Sequence, residues 1–185
     1  MNILPPLPPY EGLHPLVVHF PIGLLAVAPL FIVLAMAWKS QARAMLLTAC
    51  ILVLLGTAAA FLAFSTGEAA EGLAERVPGA GEALERHEHL GEDTRNMFFV
   101  NSFVILAATG ALWIWHAKIK TGLRVGAGVV LLALYAYPAV LLMNAGHTGG
   151  RLVHEFGVRA PQTEAALRAA EAAAPAPKQS EKNDD

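Results

Sequence analysis

The sequence predicts an all-α integral membrane protein, a four-helix bundle of transmembrane helices with both termini on the outer side, and three observations predict it. The 185 residues are 55% hydrophobic and 15% charged, with a mean hydropathy of +0.48, too apolar for a soluble domain of this length. The charges leave four gaps, Glu11 to Lys39, Arg43 to Glu68, Arg95 to Lys118 and Arg124 to Arg151, and the bilayer is the solvent that suits such runs. The two short connections hold Lys39, Arg43, Lys118, Lys120 and Arg124 and no acid, which places them in the cytoplasm.

The elements follow in order. Met1–Leu13 is Pro-rich and has no positive charge ahead of the first apolar run, so it does not resemble a secretory signal and the first run is expected to remain as a helix. Trimmed to their apolar parts, the spans are Leu16–Trp38, Ala44–Phe64, Met97–Ala117 and Val125–Met143, each near the roughly 20 residues that cross hydrocarbon at ~1.5 Å per residue. They lack the alternation of barrel strands, and a helix satisfies its own backbone. Pro29 and Pro138 fall inside the first and fourth spans, where each removes a donor and is expected to kink the helix. The long Gly67–Arg95 connection, with eight acids and three arginines, joins the termini outside. Trp38, Trp113 and Trp115 form an aromatic belt at the cytoplasmic interface. Residues 1–160 make the transmembrane domain. Residues 161–185 are a disordered tail rich in Ala, Pro, Glu and Lys, with one helical stretch at Thr163–Ala173. No internal repeat is evident.

Several function classes drop out. A net charge of -2 removes the basic footprint of nucleic-acid binders. Cys50 is the one cysteine, which excludes an internal disulfide, a thiolate cluster and CxxCH haem attachment; it reads as a small buried hydrophobe. No nucleophile elbow, phosphate loop or HExxH is present. His87 and His89 lie about 200° apart on a helix and cannot chelate one ion. No ionisable residue lies deep in a span, which ranks transport last. No substrate chemistry is read from the sequence.

The histidines are the informative feature. His14, His19, His87, His89, His147 and His154 fall at the outer side, and only His116 inside. Pro15 suits a first helical position, making His14 a cap and placing His19 one turn into the membrane. Steps of three and four from His19 give Gly23, Ala26, Leu30, Val33 and Ala37. A seam on the third helix runs Leu84, His87, Gly91, Thr94, Phe98, Asn101 and Ile105, with polar Asn101 preferring the interior. The second helix has a small face of Gly56, Ala60, Ala63 and Gly67, suited to close approach or to a bulky planar ligand. Asn144–Gly150, NAGHTGG, is expected to be a glycine-rich turn holding His147 at the bundle mouth. Three chemistries stay open. Neutral imidazoles ligate haem iron, with Arg86, Arg95 or Arg151 pairing the propionates. A zinc or copper site would use His19, His87 and His147 with carboxylates such as Glu68, Glu88 or Glu155. Alternatively the histidines cap and anchor helices at the interface.

With HPLVVHFPIGLL after residue 13 and GHTGGRLVHEFGV after the last span, the sequence resembles a bacterial family of predicted membrane proteins, domain of unknown function 2231, from about His14 to Val158. The matching positions are His14, Pro15, His19, Phe20, Pro21, His87, Gly146, His147, Gly149 and Gly150. Some relatives are joined to cytochrome-c-like domains, so the resemblance implies electron transfer by association. The expectation is therefore a multi-pass protein of the bacterial inner membrane whose periplasmic, histidine-rich end binds b-type haem. His19 with His87 is the first ligand pair, His147 with His14 the second, and Arg95 and Arg151 are the propionate partners. Electrons would pass to or from a quinol, a periplasmic cytochrome or a partner membrane subunit. The alternative is a non-catalytic zinc- or copper-binding or scaffold subunit of a larger membrane complex.

Overall fold

In the computed structural model, which describes residues 7–115 and 119–172, every charge gap is a helix. α1 runs His14–Ala37, α2 Ala42–Ala74, α3 Gly81–Trp115, α4 Thr121–His154 and the short α5 Glu164–Ala172. Among the described residues there is no strand. His116 and residues 173–185 lie outside them, and with them the inner histidine and most of the expected tail. α5 coincides with the helical stretch expected there, and Thr163 caps it by accepting the Ala166 N–H.

α2, α3 and α4 have 33, 35 and 34 residues, about 50 Å each at ~1.5 Å per residue, against about 30 Å of hydrocarbon. All three therefore overhang the apolar layer. The overhang is at the acidic end, because at the other end the basic connections follow directly on Trp38 and Trp115. Most of the Gly67–Arg95 connection is thus helix, and only residues 75–80 turn, with Gly79 at φ +81° in the left-handed region open to glycine. This overhang has its own small core, Ala74, Ala80, Ala83, Leu84 and Leu152, covered by Val77, Phe156 and Val158.

Each of the four long helices packs on its sequence neighbour and α4 closes back on α1, so α1 and α3 face each other across the diagonal of a four-helix ring. The main core gathers Leu25, Ile32, Val53, Phe98, Ile105 and Tyr135. Lipid gives no hydrophobic drive for helix association, so close packing must hold the ring. Gly56 shows it: a Cβ there would stand 2.7 Å from Leu25 side-chain carbons. Outside, Phe20, Phe103, Val130 and Tyr137 are 62%, 59%, 58% and 60% exposed, a surface that water would penalise and acyl chains accept.

The two internal prolines explain two polar contacts. Pro29 has no N–H for the Leu25 carbonyl one turn back, and the Tyr135 hydroxyl donates to that carbonyl at 2.6 Å. Pro138 likewise leaves the Leu134 carbonyl, and the Asn101 amide donates to it at 3.5 Å. Neighbouring helices thus satisfy the freed backbone groups, as the bilayer interior requires. Thr57 and Ser102 hydroxyls, 3.0 Å apart, join α2 to α3 in the same layer.

The helix faces test the expected seams. On α3, Leu84, Thr94, Phe98, Asn101 and Ile105 are buried, and on α2 so are Gly56, Ala60 and Ala63. α1 buries a face other than the one that carries His19. Its buried face is Pro21, Leu25, Ala28, Ile32 and Ala35, whereas Gly23, Ala26, Leu30, Val33 and Ala37 face outward. A helix apolar all round does not choose its own buried side. Here contact with Gly56 and Tyr135 chooses it. Asn144–Gly150 is corrected: it is continuous helix within α4, not a turn.

Candidate functional site

The site lies where the apolar part of the bundle meets the overhang. α1 starts there, with Pro15 at its first turn, so His14 stands on the rim of the shortest span. On α2 the residues at that level are Ala63, Thr66 and Gly67. His14 Nδ1 is 2.8 Å from the Ala63 carbonyl oxygen and 3.4 Å from Thr66 Oγ1. A carbonyl only accepts, so Nδ1 carries the proton and donates it. The Thr66 hydroxyl bonds back to the Leu62 and Ala63 carbonyls at 3.1 and 2.9 Å, which leaves its oxygen turned to the imidazole.

The α3 and α4 pair repeats this arrangement. His87 Nδ1 is 3.0 Å from the Ala145 carbonyl and 3.2 Å from Thr148 Oγ1. Thr148 bonds back to Asn144 and Ala145 at 3.0 Å each. Underlying both is one short motif, Ala-x-x-Thr-Gly, at Ala63–Gly67 and Ala145–Gly149. The glycines matter through close approach. A Cβ at Gly67 would stand 3.1 Å from His14 Cε1, and one at Gly149 would stand 2.9 Å from His87 Cε1. The helix surface is hollowed under each ring. The chain therefore has two hairpins, α1–α2 and α3–α4, each of which seats one histidine against an Ala-x-x-Thr-Gly motif. The shared residues are too few and too widely separated to register as periodicity.

Both histidines are half-buried, and they meet across the bundle diagonal. Their ring centroids are 6.0 Å apart and the rings nearly perpendicular, at 82°. With Nδ1–H fixed on a carbonyl, each ring keeps its Nε2 lone pair free. A hydrogen bond from the far ring nitrogen to a backbone carbonyl is the arrangement that orients an imidazole ligand and raises its basicity. Chemically the pair can serve as two neutral nitrogen ligands.

The other expected residues are placed differently. His19 is exposed on α1, off the buried face, and is not brought to His87. His147 is exposed on α4; it sits one residue before Thr148, and the helical rotation that aims Thr148 inward turns it out. His89 and His154 are exposed too, and His89 lies 3.9 Å from Glu85. Arg95 stacks over Phe64 and Phe61, 4.1 and 5.4 Å from the ring centroids, and pairs with Glu92 at 3.3 Å. Arg151 pairs with Glu155 at 2.8 Å. No three His, Cys, Asp or Glu side chains converge among the described residues. Thr148 and the two alanine carbonyls were not anticipated; the signal for them in the sequence is the Ala-x-x-Thr-Gly motif shared by α2 and α4.

Residues 11–162 match the family described as predicted membrane protein (DUF2231). The chain belongs to that family. The DUF2231 match includes both histidines, both Ala-x-x-Thr-Gly motifs and all four spans. No curated protein and no solved structure matches the chain.

Proposed function

We propose that this DUF2231 protein binds b-type haem between His14 and His87 and transfers electrons at the outer face of the membrane. The observation that carries the reading is the histidine pair itself: two imidazoles, each with Nδ1–H held by a backbone carbonyl, with ring centroids 6.0 Å apart. Rings at this separation would leave one metal ion within reach of a nitrogen from each. Haem iron takes two ligands from the protein, and two donors meet here. The glycines beneath the rings let each imidazole seat against its partner helix. Arg95 and Arg151 would have to exchange Glu92 and Glu155 for propionates, so their part is secondary. With one site at one end of the bundle, electrons would enter and leave on the same side, to a quinol, a periplasmic cytochrome or a partner subunit.

A reduced-minus-oxidised visible spectrum and a pyridine haemochrome assay on detergent-purified protein, expressed with ample haem, test the reading. Wild type is expected to give a b-type signal. His14→Ala and His87→Ala should each lose it, while His19→Ala and His147→Ala should keep it. A colourless wild type that stays colourless after haem addition sinks the haem reading. Metal analysis of that sample then separates a zinc or copper site from a structural subunit.

A further inference from the structure

At the end of the bundle opposite the histidine pair lies a cavity of about 140 Å³. All four helices contribute to it, through residues such as Ala35, Leu46, Leu112 and Leu131, and its lining is apolar apart from Arg124. One guanidinium nitrogen of Arg124 donates to the Ala35 carbonyl at 3.2 Å, so the side chain is drawn in between α4 and α1. Its Nε is buried and has no hydrogen-bond partner among the described residues. A buried charged donor without an acceptor is costly, and among the described residues no acid lies at this end to supply one. The neighbouring charges are Lys39, Arg43 and Lys120, of one sign.

We propose that this basic end holds an anionic phospholipid, with a phosphate oxygen on Arg124 and part of an acyl chain in the cavity. The charge of the end selects an anion, and the apolar lining selects one that carries hydrocarbon rather than free phosphate. Cations at helix junctions recognise acidic lipid headgroups in this way. The site is independent of the histidine pair, and it stands whether or not haem binds.

The full-length protein is reconstituted in nanodiscs of phosphatidylcholine, or of phosphatidylcholine with phosphatidylglycerol, and its thermal midpoint is measured. Wild type should gain about 3 °C in the mixed discs. Arg124→Gln, which keeps a donor for the Ala35 carbonyl, should gain nothing. Lys120→Gln, at an exposed position of the same end, should gain as much as wild type. An unchanged gain in Arg124→Gln overturns the proposal. So does an equal loss in both variants, which marks a diffuse surface charge, and so does an equal gain when inorganic phosphate is added to phosphatidylcholine discs. If Arg124→Gln fails to insert, Ala108→Leu decides: it fills part of the apolar lining and leaves the charge in place, and a full gain there rejects the site.

Discussion

At the scale of single residues, the site depends on small groups rather than on the histidines alone. Gly67 and Gly149 leave room for the rings, and the substitution Gly→Ala separates that role from helix stability. Alanine favours a helix over glycine by about 1 kcal/mol, so Gly67→Ala and Gly149→Ala should insert normally. A methyl 2.9 Å from His87 Cε1 must nevertheless displace that ring, and one 3.1 Å from His14 Cε1 makes the ring give by a few tenths of an ångström. Each is expected to weaken haem binding by roughly tenfold or more, measured by titrating haem into purified apoprotein. Binding equal to wild type in both variants would show that the rings are not held against the helices. His14 and His87 were visible in the sequence as members of a set of six outer histidines. Their partnership was not, because a spacing along the chain does not say which residues share a level across a bundle.

At the scale of the elements, the prolines reveal how the helices are tied. Tyr135 satisfies the carbonyl that Pro29 abandons, so Tyr135→Phe should cost about 1 kcal/mol of stability. In a Pro29→Ala background the alanine N–H reaches the Leu25 carbonyl, and the same Tyr135→Phe change should cost much less. The cycle, read by unfolding in mixed micelles, is expected to give a coupling of about 1 kcal/mol. Additive effects would show that the hydroxyl does not replace the missing donor. Both prolines were legible as interruptions of the spans, yet their compensation depends on residues of a different helix. The α3 seam was legible for a local reason: its overhang mixes charged and apolar residues with a clear period, and Asn101 extends that face into the membrane. α1 offers no such contrast, and the stripe through His19 lies on its exposed side.

At the scale of the whole molecule, an even number of spans puts both ends of the bundle domain with the acidic overhang. The lack of acids in the two short connections sets the expected orientation, with that overhang outside. Single cysteines at Glu82, Gln162 and Lys120, all exposed, provide the check with a membrane-impermeant maleimide on right-side-out vesicles. Labelling is expected at the first two and not at the third. Native Cys50 is 2% exposed and should stay silent in the folded protein. Labelling at Lys120 alone would invert the orientation and put the histidine pair inside. The orientation also determines the redox partners, since a site at one end can reach carriers on that side only.

The sequence by itself determined the solvent, the number of spans, the sign of charge at each end and the buried faces of α2 and α3. These follow from local composition and period, which act over one helix at a time. Tertiary structure decided the face of α1, the helical course of Asn144–Gly150 and the choice of His14 as the partner of His87. Each of these is a relation between helices. The heights of two helix starts and the closure of α4 on α1 bring His14 and His87 within 6.0 Å, and no period along one strand of sequence encodes a distance across the bundle.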